Sequence, residues 1–385
     1  MSGFPGKELT DRLLAWYHEH ARSLPWREDP TPYHVWISEI MLQQTRVETV
    51  RPYYLRFIEA LPDIPALATC PDDRLMKLWE GLGYYSRARN LKKTAQLLMQ
   101  QGGNLPHDRD QLLGLPGIGH YTAGAILSIA FGIPAPAVDG NVLRVLSRVY
   151  GSREDIMTQS CRSSFEELVS KLLPQEMPGA FNQALMDLGA MVCIPSGAPL
   201  CRECPLQGLC RACEDRSWDV IPVRAAKKPR KTETKTVLVI RDQENVILRQ
   251  RPEKGLLAGL YELPNYAGFL SSQEAISVVE NLGLKPIRIR QLEDAKHVFT
   301  HVEWRMKGYL VLVEDAGWGT SDGHDDALNE EAEENRKKGR CFPARPESAA
   351  REYAVPSAFS AYMRLLEVPF GQEADEKTMK WSSET

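Results

Sequence analysis

Residues 112–126 read Leu112-Leu-Gly-Leu-Pro-Gly-Ile-Gly-His-Tyr-Thr-Ala-Gly-Ala-Ile126, and residues 138–148 read Val138-Asp-Gly-Asn-Val-Leu-Arg-Val-Leu-Ser-Arg148. Apolar residues at helical spacing flank Pro116-Gly117-Ile118-Gly119, which predicts a hairpin between two helices. Glycines at such a corner permit positive φ and let another backbone come close. The hairpin opens a helix, so its free N–H groups can face an anion. On these residues alone, a glycine-cornered helix pair without a ligand is an equally good interpretation.

Asp139 stands at the predicted start of the next helix, where an N-cap residue belongs. A phosphate-binding hairpin followed by a single carboxylate suggests chemistry on the backbone or sugar of a nucleic acid. The simpler alternative is that Asp139 only caps its helix.

The composition is that of a globular protein with two domains. The chain has 385 residues, of which 43% are hydrophobic and 25% are charged. Its net charge of −4 means that any nucleic-acid surface must be a local basic patch. The first residues contain no long apolar run, so the sequence predicts neither a signal peptide nor a membrane span. We therefore expect an intracellular protein.

The hydrophobic pattern changes period along the chain. Up to residue 191 it is helical, and breaks contain Pro, Gly or Asp; after residue 236 short strand-like runs appear. The pattern predicts helices over residues 9–16, 35–44, 75–82, 91–99, 123–131, 165–172, 181–191, 273–282 and 357–366, and strands over 236–240, 246–249, 260–263, 287–292 and 304–313.

These changes predict an all-α N-terminal domain and an α+β C-terminal domain. The predicted boundaries are a helical domain over residues 1–222, a basic linker over 223–236, the second domain over 237–368 with a flexible acidic insertion at 314–340, and a disordered tail over 369–385.

Glu39 interrupts the apolar helical run of residues 34–45. Trp36, Glu39 and Gln43 are spaced to share one helix face. Apolar surroundings raise the pKa of a carboxyl group, and a raised pKa suits a general acid near neutral pH. Together with Asp139 this gives two carboxylates in different environments, as glycosidic chemistry requires. The alternative is a buried Glu39 satisfied by an ion pair or a helix end.

Four cysteines fall in one short segment, spaced Cys193-x7-Cys201-x2-Cys204-x5-Cys210. Sulfur-only ligation fits a [4Fe–4S] cluster or a structural zinc ion, and the spacing does not choose between them. Cys213 is a fifth thiol that could compete as a ligand. Cys70, Cys161 and Cys341 are interpreted as isolated residues.

Several motifs follow one another in an order that resembles the helix-hairpin-helix DNA glycosylases, and within them the MutY family of adenine glycosylases. Besides the hairpin, the Val138 motif and the cysteines, they are Leu24-Pro-Trp-Arg27, Ser38-Glu-Ile-Met-Leu-Gln-Gln-Thr45 and Gly81-Leu-Gly-Tyr-Tyr-Ser-Arg-Ala-Arg89. The resemblance covers nearly the whole chain. One departure is the spacing of the first two cysteines, which is usually six residues in the family and is seven here.

The resemblance implies a monomeric enzyme of base excision repair that flips adenine out of a mispair with 8-oxoguanine or guanine in double-stranded DNA and hydrolyses its N-glycosidic bond. Glu39 would protonate adenine N7, and Asp139, in one catalytic motif with Asn141, would stabilise the oxocarbenium-like sugar. A [4Fe–4S] cluster would be held by Cys193, Cys201, Cys204 and Cys210.

The resemblance also assigns the contacts to DNA. Trp26, Arg27 and Gln183 would line the adenine pocket, and Gln43 would also bind substrate. Tyr84 would wedge into the base stack, with Gln44 filling the gap. Gly117 and Gly119 would hold a phosphate of the target strand.

Tyr121 discriminates within the superfamily. The endonuclease III relatives carry a lysine at this point, which forms a Schiff base and nicks the strand. A tyrosine cannot do so, which implies a monofunctional glycosylase with water as the final acceptor.

The second domain resembles the Nudix fold of MutT-like nucleotide hydrolases. Residues 274–284 lack the acidic run that holds metal ions there, and only Glu280 is retained, so we expect no pyrophosphatase activity. The segment His297-Val-Phe-Thr-His301 instead resembles a loop that reads 8-oxoguanine. Phe299 would intercalate, and Thr300 and His301 would form hydrogen bonds with the lesion. Without the resemblance, an ordinary hairpin is the better interpretation.

Three other functions compete with this one. An endonuclease III-like glycosylase/lyase is disfavoured by Tyr121 and by the second domain. A non-catalytic mismatch-binding protein is disfavoured by the two carboxylates, and a Nudix hydrolase by the missing acidic run.

Overall fold

The computed structural model describes residues 6–225, 229–316 and 341–366. The chain forms two compact units, each made of two stretches. The first unit comprises Met1–Cys70 and Ser86–Lys227, and the second comprises Pro71–Tyr85 and Lys228–Thr385. The predicted tail and most of the predicted acidic insertion lie outside the described residues. In the parts described, no helix combines the length and apolarity that crossing a bilayer requires.

The first unit is helical, as predicted. Its helices often begin at a side chain that accepts a hydrogen bond from the first turn, as Thr31, Asp63, Asp108 and Thr158 do. Up to the second unit's strands, the helices are α1 (Gly6–His20), α2 (Pro25–Glu28), α3 (Pro32–Leu42), α4 (Val47–Ala60), α5 (Ile64–Thr69), α6 (Asp72–Trp79), α7 (Ser86–Gln100), α8 (Arg109–Leu113), α9 (His120–Ala125), α10 (Gly140–Tyr150), α11 (Gln159–Leu172), α12 (Pro178–Met191) and α13 (Arg211–Glu214).

The core of this unit lies around α10 and α12. Helix α10 buries each residue from Val142 to Tyr150, and α12 contributes Phe181, Leu185 and Leu188 to the same apolar cluster. Since α10 is enclosed by apolar neighbours, the residues that cap its start are held in a fixed position.

Helix α4 was not predicted from the hydrophobic pattern. Its buried side chains are Val50, Tyr54 and Phe57, while Leu55 on the opposite side is more than half exposed. A stripe of three apolar residues with a proline, Pro52, inside the helix is too weak a signal to stand out.

The second unit contains α6 and an eight-stranded mixed sheet in the central order β3-β2-β1-β7-β5. Strand β4 pairs with β1, β6 with β7, and β8 with β2. The strands are β1 (Lys231–Arg241), β2 (Val246–Gln250), β3 (Tyr261–Glu262), β4 (Asn265–Ala267), β5 (Pro286–Gln291), β6 (Ala295–Val298), β7 (Val302–Val313) and β8 (Cys341–Ala344); the helices are α14 (Ser272–Asn281), α15 (Pro346–Arg351) and α16 (Ser360–Met363).

The two faces of this sheet carry separate apolar clusters. Val237 and Val239 of β1 belong to one cluster, with Trp304 of β7 and Phe359. Leu238 and Ile240 belong to the other, with Val279 of α14. The alternation follows from the two-residue period of a strand.

Three predicted boundaries differ from the structure. Residues 231–236 of the predicted linker form the start of β1, which pairs in parallel with β7 from Lys231 opposite Val302. The predicted helix over 357–366 is α16 between the 3-10 turns Ser357–Phe359 and Arg364–Leu366. Residues 71–85, predicted within the first domain, belong to the second unit.

Candidate active site

A cavity of about 700 Å³ opens in the first unit. It brings together predicted site residues that lie up to 157 positions apart, from Trp26 to Gln183. Nine of the predicted site residues line it: Trp26, Arg27, Glu39, Gln43, Gln44, Tyr121, Asp139, Asn141 and Gln183.

Glu39 lies on α3 and is only 5% exposed. The Tyr121 hydroxyl donates a hydrogen bond to its carboxylate. Burial raises the pKa of Glu39 to about 7; the Tyr121 hydrogen bond opposes this, the negative charge of Asp139 adds to it, and Arg27 opposes it. At neutral pH the carboxyl group is therefore close to half protonated and can give up a proton.

Asp139 caps α10, as predicted. Its Oδ1 accepts hydrogen bonds from the backbone N–H groups of Asn141 (2.9 Å) and Val142 (2.8 Å), and its Oδ2 accepts one from Asn141 Nδ2 (2.8 Å). Burial raises the pKa of Asp139, although these three hydrogen bonds favour its ionised form. Capping and a catalytic role do not compete here, because the cap holds the carboxylate in the cavity wall.

Asn141 connects the cavity to the cysteine segment through Arg144. Arg144 Nη2 donates to Asn141 Oδ1 (2.9 Å), and Arg144 Nε donates to the carbonyl oxygen of Cys193 (2.9 Å). The start of α10 is thus bound by hydrogen bonds to the first cysteine of the predicted metal-binding loop.

Tyr121 lies in the first turn of α9, directly after the hairpin. Burial raises the pKa of its hydroxyl well above the ordinary value, and the Glu39 charge adds to this. The phenol therefore stays neutral and acts as a hydrogen-bond donor to Glu39.

An ion-pair network beside the cavity was missed from the sequence. The buried carboxylate of Asp187 accepts two hydrogen bonds from Arg27 (2.7 and 2.9 Å) and pairs with Arg22 at 2.6 Å. Burial opposes ionisation of Asp187, but the arginines outweigh it and lower its pKa. Asp187 is a lone carboxylate in an apolar helix, the same signal that singled out Glu39.

Gln43 and Gln44 follow the end of α3. Gln43 Nε2 lies 3.4 Å from Thr122 Oγ1 and donates to it. Gln44 has φ +61°, a left-handed backbone conformation that residues other than glycine rarely adopt. Trp36, one turn before Glu39 on α3, is buried and packs edge-on against Tyr33, with ring centroids 6.1 Å apart.

The hairpin between α8 and α9 has the predicted corner. Gly117 has φ +81°, and a Cβ atom there would lie 2.9 Å from Asn90 Cβ, so both conformation and space require glycine. Gly119, with φ −101°, is extended and needs no left-handed conformation, which corrects the expectation of positive φ at that position.

The predicted stack-invading residue and the predicted lesion-reading loop lie in the second unit. Tyr84, with φ +48°, is 45% exposed, and its hydroxyl lies 2.7 Å from Thr300 Oγ1. Phe299 begins the turn between β6 and β7 and packs edge-on against Trp304, with centroids 4.8 Å apart. His301 follows in the same turn and accepts a hydrogen bond from Lys231 N through its carbonyl oxygen.

Helix α14 carries the segment that lacks the acidic run of the nucleotide hydrolases. Its Glu274 is used in a capping box with Ser271. Glu280 stays on the exposed side of this helix.

Five cysteines line one small apolar pocket, namely Cys193, Cys201, Cys204, Cys210 and Cys213. Arg148 Nη1 donates to Cys193 Sγ at 3.3 Å. Burial raises the pKa of Cys204 to about 12 and of Cys201 and Cys210 to about 11, with further contributions from neighbouring thiols. Among the described residues, no three side chains are already arranged as a metal site. The donor set itself, thiols in an apolar pocket beside an arginine, fits a sulfur-ligated metal group.

Two protein families match the chain. The HhH-GPD superfamily of base excision DNA repair proteins matches residues 37–171, and the NUDIX domain matches residues 236–365. Both matches agree with the predicted order of domains.

Curated relatives and solved structures agree with these matches. The chain is 35% identical to an adenine DNA glycosylase of Mus musculus over 368 residues, covering 80% of this chain and 71% of the relative. It is 38% identical to an adenine DNA glycosylase of Buchnera aphidicola over 304 residues, covering 78% and 85%. A thermostable thymine-DNA glycosylase superposes with a TM-score of 0.50 at 30% identity, covering 55% of this chain and 97% of that one.

Proposed function

Because the chain belongs to the adenine DNA glycosylases, within the HhH-GPD superfamily of base excision DNA repair proteins, we propose that it removes adenine mispaired with 8-oxoguanine or guanine in double-stranded DNA. Its reaction is hydrolysis of the N-glycosidic bond. The observation that carries the proposal is the pairing of Glu39, with a pKa of about 7, and Asp139 in the wall of one cavity.

Glu39 is the general acid in this proposal. The C1′ and N7 atoms are out of reach inside a base stack, so the adenine enters the cavity flipped out of the duplex. Glu39 then gives its proton to N7, and the electron pair of the C1′–N9 bond leaves with the base. Tyr121 orients the carboxyl group through its hydrogen bond.

Asp139 is the electrostatic stabiliser. The sugar becomes positively charged as the bond breaks, and the Asp139 carboxylate faces it while Asn141 holds both carboxylate oxygens. A water oxygen then bonds to C1′. The Glu39 carboxylate takes up the proton that this water releases, which restores the acid. Trp26, Gln43 and Gln183 supply the remaining wall around the base.

The proposed enzyme does not cut the strand. A lyase needs an amine to form a Schiff base with C1′. No lysine is found among the described residues that line the cavity, and Tyr121 occupies the position where the lyase relatives carry one.

The second unit is proposed to recognise the base opposite adenine. Tyr84 and Thr300 are in hydrogen-bond contact, so a stack-invading side chain and a lesion-reading loop meet in one place. Phe299 and His301 belong to the same turn.

Gly117 and Gly119, in the hairpin of the first unit, are proposed to hold a backbone phosphate. No pyrophosphatase activity is proposed for the second unit, because Glu274 is used in the capping box at the start of α14.

A [4Fe–4S] cluster held by Cys193, Cys201, Cys204 and Cys210 is part of the proposal. When bound, it would cross-link the segment between α12 and α13. Through Arg144 this segment is connected to Asn141 and the start of α10. We further propose that the protein works as a monomer on DNA inside the cell.

The deciding experiment measures adenine release from a duplex with A opposite 8-oxoguanine, using C opposite 8-oxoguanine as control. Parallel samples are developed with and without alkali. Abasic product in the A strand, with breaks only after alkali, is the expected result. Breaks without alkali would contradict the monofunctional assignment, and absence of release would contradict the catalytic one.

Glu39→Gln separates catalysis from binding. The amide cannot donate an acidic proton, so single-turnover adenine release should fall by a factor of about 10²–10⁴. Affinity for the mismatched duplex should stay close to that of the unchanged protein. If the variant unfolds and loses both properties, Glu39 has a structural role.

A further inference from the structure

Asn182 is a fully buried amide on α12, next to Gln183 of the cavity wall. Its Nδ2 group donates to the Ala135 carbonyl oxygen (2.9 Å) and to Ser128 Oγ (2.8 Å). Its Oδ1 atom accepts a hydrogen bond from the Ala137 N–H at 3.2 Å. Both N–H donors and the oxygen of the amide are thus used, as is usual for a buried polar group.

These hydrogen bonds join three parts of the chain, and each part contributes to the cavity wall. The first is the π-helical turn Ile126–Ala130, which continues α9 and contributes Ile129. The second is the loop over residues 132–138, which leads into the Asp139 cap of α10. The third is α12, which contributes Gln183. Asn182 therefore lies where the parts that carry these wall residues meet.

Two glycines let the three parts approach at backbone distance. A Cβ atom at Gly124 of α9 would collide with the Pro136 carbonyl oxygen. One at Gly179 of α12 would lie 2.6 Å from the Ser128 carbonyl oxygen. Within the described residues, the backbone hydrogen bonds of residues 135–137 are made to the Asn182 side chain. The position of this part of the loop therefore depends on one amide.

The loop carries this dependence to the proposed stabiliser of the sugar. Asp139 follows Ala137 by two residues, and its cap fixes the carboxylate relative to α10. The cap does not fix it relative to α12, where the base would be held. Electrostatic stabilisation requires the charge to stand at the right place before the reaction, and a misplacement of 1 Å can cost about 10²-fold in rate.

We propose that Asn182 is a positioning residue for Asp139. Its two hydrogen bonds to the loop set where the carboxylate stands relative to the wall formed by α12. Asn182 is not among the described residues that line the cavity, so it acts through Asp139 and not by touching base or sugar. The inference rests on the proposed function and deepens it.

The experiment measures binding to two duplexes that cannot be cleaved. Opposite 8-oxoguanine, one carries a pyrrolidine, which is positively charged at neutral pH, in place of the sugar, and the other a neutral tetrahydrofuran ring. The ratio of the two Kd values reports how well the carboxylate faces a positive charge. Asn182→Ala should reduce the preference for the cationic ring by a factor of about 10–10². Affinity for the neutral ring should stay close to that of the unchanged protein.

Ser128→Ala is the matched control within the same network. It removes the third hydrogen bond of the Asn182 amide and leaves both hydrogen bonds to the loop. The variant should unfold at a lower temperature and keep the preference for the cationic ring. An equal loss of preference in Ser128→Ala and Asn182→Ala would show that the network is structural and would overturn the proposal.

A double variant tests whether Asn182 acts through Asp139. Asp139→Asn should itself lose the preference for the cationic ring, and adding Asn182→Ala should reduce it no further. Independent losses that add up would contradict the proposal. If Asn182→Ala does not fold, Asn182→Asp fills the same volume, and its carboxylate cannot donate to the Ala135 carbonyl oxygen. It should lose the preference as well, and a full preference would overturn the proposal.

The two proposals fail in different ways. An unchanged protein that releases no adenine would remove the proposed function. An unchanged protein that releases adenine and prefers the cationic ring, with an Asn182→Ala variant that keeps this preference, would remove only the role of Asn182.

Discussion

One hydrogen bond at the centre of the cavity sets the acidity of Glu39. Tyr121 donates to the carboxylate and so favours its ionised form, which offsets part of the increase in pKa caused by burial. Tyr121→Phe should therefore raise the pKa of Glu39 above about 7. The acid would then stay protonated to higher pH, and the alkaline decline of the single-turnover rate should move to higher pH.

The measurement is the rate of adenine release between pH 5.5 and 9, values that span about 1.5–2 units on either side of the pKa. Tyr33→Phe is a suitable control, because Tyr33 is also buried but donates to the Leu61 carbonyl oxygen, outside the cavity. A shift of the Tyr121→Phe profile to lower pH would contradict the assignment of Glu39 as the acid.

The sequence pattern predicts a role for Glu39 but not for Asp187, although both are single carboxylates in apolar helices. Glu39 stood beside motifs that drew attention to it. The partners of Asp187, Arg22 and Arg27, lie 165 and 160 positions away. A pairing over such a distance depends on how helices pack, which the local pattern does not contain.

At the level of elements, the start of α10 has to serve both stability and chemistry. Asparagine caps a helix about as well as aspartate, whereas alanine costs about 0.5–2 kcal/mol. Since burial raises the pKa of Asp139, its charge is a cost to the folded state at neutral pH. Asp139→Asn should thus be at least as stable as the unchanged protein and still lose most of its activity.

Urea unfolding and single-turnover kinetics on Asp139→Asn and Asp139→Ala would check this. The alanine variant should be both inactive and less stable. If the asparagine variant were fully active, the carboxylate would be a cap and nothing more.

The contact between α12 and the segment around α2 depends on Asp187. Asp187→Asn would leave Arg22 and Arg27 without their counter-charge and should lower the free energy of unfolding by about 3 kcal/mol. Because the pKa of Asp187 is lowered in the folded protein, its contribution to the free energy of unfolding should be present at neutral pH. It should be lost as the pH falls through the pKa of Asp187 in the folded protein. Thermal unfolding at neutral and acidic pH measures both effects.

Glu167→Gln is the matched control for Asp187→Asn. It breaks the exposed pair of Glu167 with Lys171 on α11, where both side chains are 70% exposed. Exposed pairs contribute little, so no measurable change is expected. Equal destabilisation by the two substitutions would show that burial of Asp187 is not the cause.

Strand β1 shows why some elements were predicted in part. Residues 231–236 alternate charged residues with threonines, and their lysines suggested a solvated linker. In the structure they pair with β7 along their full length. A strand whose partner is about 70 residues further along the chain cannot be recognised where its own hydrophobic pattern is weak.

For the whole molecule, the discontinuity of the second unit has a measurable effect. Within that unit, residues 72–85 are bound to its C-terminal part: Asp73 accepts from the Tyr261 hydroxyl (3.1 Å), and Glu80 accepts from the Val355 N–H (2.8 Å). Deletion of residues 229–385 should therefore accelerate amide hydrogen exchange in α6.

The amides of α11, in the first unit, are the internal control and should exchange at an unchanged rate. We also expect the shortened protein to release adenine but to discriminate less between 8-oxoguanine and guanine. Unchanged exchange in α6 would mean that this helix does not depend on the second unit.

The change of hydrophobic period near residue 236 was enough to predict two domains of different classes. It could not reveal that a piece of the helical half belongs to the other unit, because α6 has the same local pattern as its neighbours. Likewise, the motifs identified nine residues of one cavity, but the hydrogen bonds of Arg144 to Asn141 and to the Cys193 carbonyl oxygen follow from helix packing, which no local pattern contains.

Gln44 and Tyr84, the two residues proposed to enter the DNA stack, both hold positive φ angles, +61° and +48°. Such conformations cost on the order of 1–3 kcal/mol for residues other than glycine. A population of variants selected for heat resistance alone should accumulate glycine or asparagine at both positions. The survivors would resist heat better than their ancestor and would accumulate mutations faster, because the same two substitutions remove the side chains that hold the duplex open.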